Sequence, residues 1–203
     1  MSTPQAMEIL KKAKKEGMDV YVETCPHYLF LTEEDIIKYG PYAKCNPPLR
    51  SKEASERLWD YINDGTVDYM GSDHSPFLLS EKTCGEEDIF KATSGFPGVD
   101  IRLPLMLDAV QRGKVQLERV VELLAVRPAK IFNLFPQKGT IRVGADADFV
   151  SFNFDHSTVV DKNKNYSHAK DIAIPYDGRT LQCQLTYTIL RGRIVMEHGR
   201  CWC

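Results

Sequence analysis

Neither sign of charge dominates this 203-residue chain: 26 Lys and Arg face 28 Asp and Glu, a formal net charge of −2. Without a basic face there is no electrostatic footprint for a phosphate backbone, which argues against nucleic acid as the main partner. No apolar run is long enough to span a bilayer, and no signal peptide or targeting tail is visible, so a membrane partner is not expected either. The six cysteines, at 25, 45, 84, 183, 201 and 203, follow no paired framework. With no secretory signal they read as free thiols in a reducing, cytoplasmic compartment. Cys201 and Cys203 could suggest a metal or redox pair, but one intervening residue at a chain end is a weak signal. Internal repeats and low-complexity tracts are also absent. A hydrophobic content of 43% and a charged content of 27% are those of an ordinary globular chain with enough residues for a core.

The most informative stretch present is Thr66-Val-Asp-Tyr-Met-Gly-Ser-Asp-His-Ser-Pro-Phe77. Val67 and Tyr69 alternate with Asp68 and Met70, the period of a strand, and Gly71-Ser72 tighten the chain just as Asp73 emerges. In α/β folds the carboxyl ends of parallel strands converge on the active site. A carboxylate there can ligate a cation or take a proton from water. The plain alternative is that Asp73 caps a helix or turn at His-Ser-Pro.

Around it, helix and strand signals alternate, which predicts parallel α/β units. Thr3 and Pro4 open a helix with Ala6, Ile9, Leu10 and Ala13 on its apolar face and Lys11, Lys12, Lys14 and Lys15 in solvent; Gly17 closes it. Residues 18–23 read as a strand. Thr32-Glu-Glu-Asp35 forms a capping box for a short helix ending at Gly40. Ser51 opens a helix with Leu58, Trp59 and Ile62 inward. Residues 78–97 have loop composition and are expected to lie over the site. Helices follow over 101–112 and 117–134, the second broken near Pro128. Beyond Pro136 short strands take over, at 139–141, 148–154, 182–191 and 193–197, the last two forming a hairpin about Gly192. Trp59, Tyr61 and the phenylalanines of 149–154 read as core.

Four further segments, in order, carry a resemblance: Val22-Glu-Thr-Cys-Pro-His-Tyr-Leu29, Ala43-Lys-Cys-Asn-Pro-Pro-Leu-Arg50, Ser94-Gly-Phe-Pro-Gly-Val-Asp100 and Lys138-Gly-Thr-Ile-Arg-Val-Gly-Ala-Asp-Ala-Asp-Phe149. Together with the Asp73 stretch they resemble the cyclic amidohydrolases, the group of allantoinase, hydantoinase/dihydropyrimidinase and dihydroorotase. The resemblance runs from about Ser2 to Met196. The run from Ala43 to Trp59 and Pro175-Tyr-Asp-Gly-Arg179 look most like allantoinase. It implies an α/β fold: residues 1–136 as the last two β/α units of a metal-dependent-hydrolase TIM barrel, and 137–203 as the C-terminal share of a small β-sandwich. It implies ring-opening hydrolysis of a small cyclic amide or ureide, and a homo-oligomer, a tetramer, in the intact enzyme. It also implies a binuclear divalent metal site, with Zn expected, built from a His-x-His pair, a carboxylated lysine, two further histidines and one aspartate. Asp73 matches that aspartate, as metal ligand and catalytic proton acceptor, while Asn46, Ser94 and Gly95 match substrate-contacting positions.

Departures from the family pattern are as telling. None of the five histidines forms a His-x-His. The last family histidine would precede Met1 directly, so the chain carries one ligand of six and is expected to be a C-terminal portion, inactive alone. Its unpaired strands and bare helix faces would then be an aggregation hazard. A serine stands at 94 where hydantoinases usually have asparagine, which leaves only backbone contact secure there. His27 is open between a structural role and the orientation of a substrate or ligand. Arg50 could hold the Asn46 loop or cap a helix, and His74 could bond near Asp73 or be a bystander. His156, His168 and His198 are assigned no chemistry. Two other functions stay open: a non-catalytic binding protein of the dihydropyrimidinase-related type, and an autonomous small domain.

Overall fold

The structure, a computed structural model, describes residues 1–201. Helix α1 (Pro4–Lys15) begins where its cap predicts, with Thr3 Oγ1 accepting the Ala6 N–H at 3.3 Å. Its inward stripe differs from the expected one. Met7 is fully buried and Leu10 packs beside it, while Ile9 stays 70% exposed. Lys14 does not remain in solvent, because its Nζ is drawn in to the buried carboxylate of Asp68 and to Thr66 O at 2.9 Å.

The strands that follow are short. β1 (Glu23–Thr24) lies parallel to β2 (Tyr69–Met70), with Glu23 opposite Tyr69 and Thr24 opposite Met70. The expected strand over 18–23 is thus confined to its end. Pairing begins only where Val22 O accepts the Asp68 and Tyr69 N–H groups, at 2.8 and 3.3 Å, and closes at Thr24 O with Gly71 N. Between the strands run α2 (His27–Phe30), α3 (Glu33–Tyr39) and α4 (Lys52–Asn63). The Thr32/Asp35 capping box forms as its pattern predicts, and Gly40, at φ 55°, ends the helix. Ser51 Oγ caps α4, which buries Leu58, Trp59, Tyr61 and Ile62. A parallel pair joined by helices is the βαβ arrangement anticipated from the alternating pattern.

Within the stretch expected as loop, a single helical turn forms, α5 (Ser80–Thr83). Helix α6 (Arg102–Gln111) follows. The expected break near Pro128 is gentler than a stop: α7 (Leu117–Val121) passes through a π-helical turn at Glu122–Val126 into α8 (Arg127–Ile131). A proline cannot donate to the preceding turn, and the widened turn accommodates that.

The C-terminal part holds an antiparallel sheet in the order β3 (Phe149–Asn153), β6 (Gln184–Leu190), β7 (Arg193–Glu197), β8 (Arg200–Cys201). β4 (Thr158–Val159) and β5 (Thr180–Leu181) pair separately. The β6–β7 hairpin turns on Arg191 and Gly192, both at positive φ (48° and 79°), as the tight hairpin geometry requires. No strand forms at 139–141, where Ile141 is 84% exposed; with no partner strand, the apolar run stays in a turn. Phe149 is not core but open to solvent, whereas Phe152 and Phe154 meet edge to face at 5.2 Å against the core. The suggested Cys201–Cys203 pair falls partly outside the described residues. This region is fastened to the first by Arg179, which donates to Phe30 O at 3.2 Å and sits over the Phe30 ring, and by buried Asp108, which accepts from Gln182 N and Arg112 Nε. Among the described residues no helix is long and apolar enough to cross a membrane.

The junction at the foot of β2 is Asp68, whose Oδ2 accepts from Lys14 Nζ and, at 2.7 Å, from Val22 N, while Oδ1 accepts from Arg127 at 3.2 Å. Asp68→Ala should lower the unfolding free energy by about 3 kcal/mol, the loss typical when one partner of a buried ion cluster is removed. Lys11→Ala, which breaks the more exposed pair with Asp64 (2.5 Å), should move the denaturation midpoint far less. Paired urea titrations of the two variants measure this.

Candidate active site

At the other end of β2 the chain bends through Gly71 and Ser72 and delivers Asp73. A side chain at Gly71 would displace the Glu23 carboxylate, since a Cβ would lie 1.8 Å from Glu23 Oε1. Arg102 holds the strand end by donating to Met70 O at 3.0 Å. Asp73 itself sits at φ 48°, a left-handed conformation that a non-glycine residue seldom adopts, and its side chain is 43% exposed. It heads no helix: His74 bridges to Phe96, and the next helix begins only at Ser80. The helix-cap reading is therefore set aside. The carboxylate stands free at the head of a parallel strand.

Two loops meet this turn. His74 Nδ1 accepts the N–H groups of Gly98 and Val99, at 3.2 and 3.3 Å, and Ser75 N donates to Phe96 O. His74 is thus neither a bystander nor a direct partner of the Asp73 carboxylate; it grips the Ser94–Gly98 segment. Gly95 is required there, with φ 127° and a notional Cβ only 2.4 Å from Ser75 Oγ. Gly95 N in turn donates to Lys44 O at 2.8 Å, which lays this loop beside the one carrying Asn46. Asn46 is exposed, and the bond to Pro47 is cis. Pro47 O accepts from Tyr28 Oη at 3.1 Å and from Cys45 Sγ at 3.3 Å, so the loop hangs from α2. Arg50 makes no ion pair among the described residues, and its Nε is buried without a partner.

Sequence reasoning missed the loops' main fastener. Lys82 is fully buried and donates to Pro41 O, Lys44 O and Thr93 O at 3.1, 3.4 and 2.9 Å. Burial pushes its ammonium down to about 8. A lysine in a polar, charged stretch gives no hint of this. Lys44 does the same from the other side, donating to Ile89 O and Ala92 O at 2.8 and 2.6 Å.

Under Asp73 lies His27, the first residue of α2, buried to 3% exposure. Its Nε2 is 3.8 Å from Asp73 Oδ2. Burial pushes the imidazole down to about 3, so the ring is neutral and the contact is not an ion pair. Burial and then the neighbouring Glu23 carboxylate push the Asp73 carboxyl above its usual range, which favours a group that accepts protons readily.

A sequence profile of the amidohydrolase family matches residues 2–195. The chain belongs to the amidohydrolase family. An L-hydantoinase of Paenarthrobacter aurescens is 40% identical over 200 residues, spanning 98% of this chain and 43% of that protein. An allantoinase of Rubrobacter xylanophilus is 39% identical over 202 residues, spanning 98% and 43%. The solved L-hydantoinase (dihydropyrimidinase) from Arthrobacter aurescens superimposes with a TM-score of 0.92 at 38% identity, covering all of this chain and 45% of that one. This amidohydrolase chain thus spans somewhat under half the length of the relatives it matches. Its fold is the α/β fold of those hydantoinases over the shared portion.

Metal-dependent chemistry is the mark of this family, so the donor set matters. Among the described residues no three His, Cys, Asp or Glu side chains converge as a metal site would require. Asp73 offers one carboxylate. The thiols nearest it, Cys25 and Cys45, are held as neutral groups: burial, then neighbouring carboxylates including Asp73, push them up to about 12 and about 11. The residues here do not by themselves fit a binuclear centre.

Cys183, also buried, is raised to about 11 by burial and then by Asp108. These three thiols should resist iodoacetamide at pH 8 while exposed Cys84 is alkylated more than about tenfold faster, as mass spectrometry of the peptides will show. A thiol whose folded pKa is raised contributes stability that is fully present below its unfolded pKa. That contribution is lost as pH climbs from about 9 through 11 and 12, so the midpoint of unfolding should fall across that window.

Proposed function

We propose that this chain is the C-terminal portion of a metal-dependent cyclic amidohydrolase that opens the ring of an allantoin-type cyclic ureide by hydrolysis. The observation that carries the reading is a free carboxylate, Asp73, at the head of a parallel strand, with the Asn46 and Ser94–Gly95 loops bonded together beside it. In this reading residues 1–136 are the last β/α units of a TIM barrel and 137–203 belong to a β-sandwich. Asp73 takes the proton from the attacking water and returns it to the leaving ring nitrogen. Asn46, exposed and carrying both a donor and an acceptor, matches the alternating N–H and C=O edge of a ureide. Ser94 and Gly95 contribute through the backbone.

Asp73 would also be one ligand to a divalent metal, held together with ligands from outside these residues. When bound, that metal, Zn in this reading, would supply an activated water. The 203-residue chain alone is accordingly inactive. Hydantoins are the second substrate class, favoured by the likeness to hydantoinases in both sequence and structure.

The test is steady-state kinetics of the protein containing this chain together with its upstream half, on allantoin and on hydantoin, with metal content measured in parallel. Asp73→Asn should reduce kcat by roughly 10²–10⁴-fold, the range of general acid–base groups. Asn46→Ala should act mainly on KM, by about 1–3 kcal/mol for a polar contact left unpaired. Near-normal kcat and full metal in Asp73→Asn would remove Asp73 from the chemistry, and preference for hydantoin would select the second class.

A further inference from the structure

Beneath the proposed proton acceptor is a buried polar atom with nothing to bond. Among the described residues His27 Nε2 has no hydrogen-bond partner, although the ring is buried to 3% exposure. Such an atom in a native interior calls for a reason, because the desolvation of an N–H or ring nitrogen is otherwise uncompensated. The ring is not free to seek a partner elsewhere. Tyr28 lies against it at 4.1 Å between centroids and Phe96 meets it edge-on at 5.6 Å. These two neighbours are the residues that organise the loops: Tyr28 holds Pro47 O, and Phe96 pairs with His74 directly after Gly95. His27 therefore stands where both loops and the Asp73 turn touch, its Nε2 aimed at the carboxylate.

We propose that His27 is a positioning residue for Asp73. Its Nε2–H donates to Oδ2 of the carboxylate and orients the other oxygen toward the reacting water. This rests on the reading of Asp73 as proton acceptor. The 3.8 Å separation is longer than a hydrogen bond of about 2.9 Å, and the half-exposed Asp73 side chain, not the buried His27 ring, is the partner free to close it. Catalytic hydrogen bonds are commonly long before a ligand is bound and tighten in the complex. A neutral imidazole suits the task, since it donates one hydrogen bond without neutralising the carboxylate that must take up a proton. The step is balanced: the proton leaves water for the outer Asp73 oxygen and passes to the departing nitrogen, while His27 keeps its own throughout.

Two measurements test this. In the 203-residue chain, nitrogen NMR of labelled histidine should show His27 as the neutral Nε2–H tautomer, with a resonance that moves on Asp73→Asn. An Nδ1–H tautomer, or a resonance indifferent to Asp73, would overturn the proposal without touching the proposed activity. In the protein with its upstream half restored, His27→Leu should lower kcat at least about tenfold, the loss of one hydrogen bond to a charged group, with KM little changed. His27→Gln, which can present an N–H from a similar reach, should recover most of that loss. If Asp73→Asn abolishes turnover while His27→Leu leaves kcat intact, the positioning role is wrong and the function stands. Equal loss in His27→Leu and His27→Gln, with a KM rise, would mark His27 as packing only. Intact kcat in Asp73→Asn would defeat the role of Asp73 and this proposal together.

Discussion

The arrangement of this chain depends on a single buried carboxylate at the foot of its second strand. Asp68 accepts from an ammonium on α1, a backbone N–H just ahead of β1 and a guanidinium on α8, so three groups each 46 or more residues away from it in sequence are referenced to one side chain. A carboxylate taken out of water is tolerated only when it is paired and hydrogen-bonded, and here both conditions are met. The bond to Val22 N also sets the register in which β1 and β2 can lie side by side. A displaced register would carry Asp73 away from α2 at the opposite end of the strand. The buried anchor at one end and the proposed site at the other are thus joined through β2.

The upper end is built on a different principle. Apart from the Glu23 carboxylate, the buried groups around Asp73 are neutral: two protonated thiols, an uncharged imidazole and a phenol that burial holds protonated. The loop lysines, Lys44 and Lys82, are aimed at backbone carbonyls. Burial and the Glu23 carboxylate raise the affinity of Asp73 for a proton, and the Met1 ammonium opposes them only in part. That environment suits the proton-accepting role proposed for Asp73.

Much of this could be read in the sequence. Thr3–Pro4, Thr32–Asp35 and Ser51 announced their helices because capping is a local interaction, decided within one turn. The head of the Asp73 strand was legible because glycine and serine followed a short β pattern, and the hairpin at Gly192 because its turn demands positive φ. What stayed hidden depends on distant partners. Asp68 alternates with apolar neighbours and so looks like a solvent-facing strand residue, and Lys82 looks like ordinary loop charge. The apolar run at 139–141 and Phe149 resemble strand and core, yet a strand needs an edge to pair with and a core residue needs something to cover it. His27 was left between two roles, since no sequence signal says that a buried nitrogen lacks a partner.

Lys82 also bears on how the loops move. One ammonium joins Pro41, Lys44 and Thr93, and Gly95 N closes a further link to Lys44, so residues 41–47 and 93–98 have no independent hinge between them. Breathing of either loop breaks the same shared bonds. The two therefore open as one cooperative unit, and their amides exchange with solvent at a common free energy, whereas loops tethered separately would each fray alone.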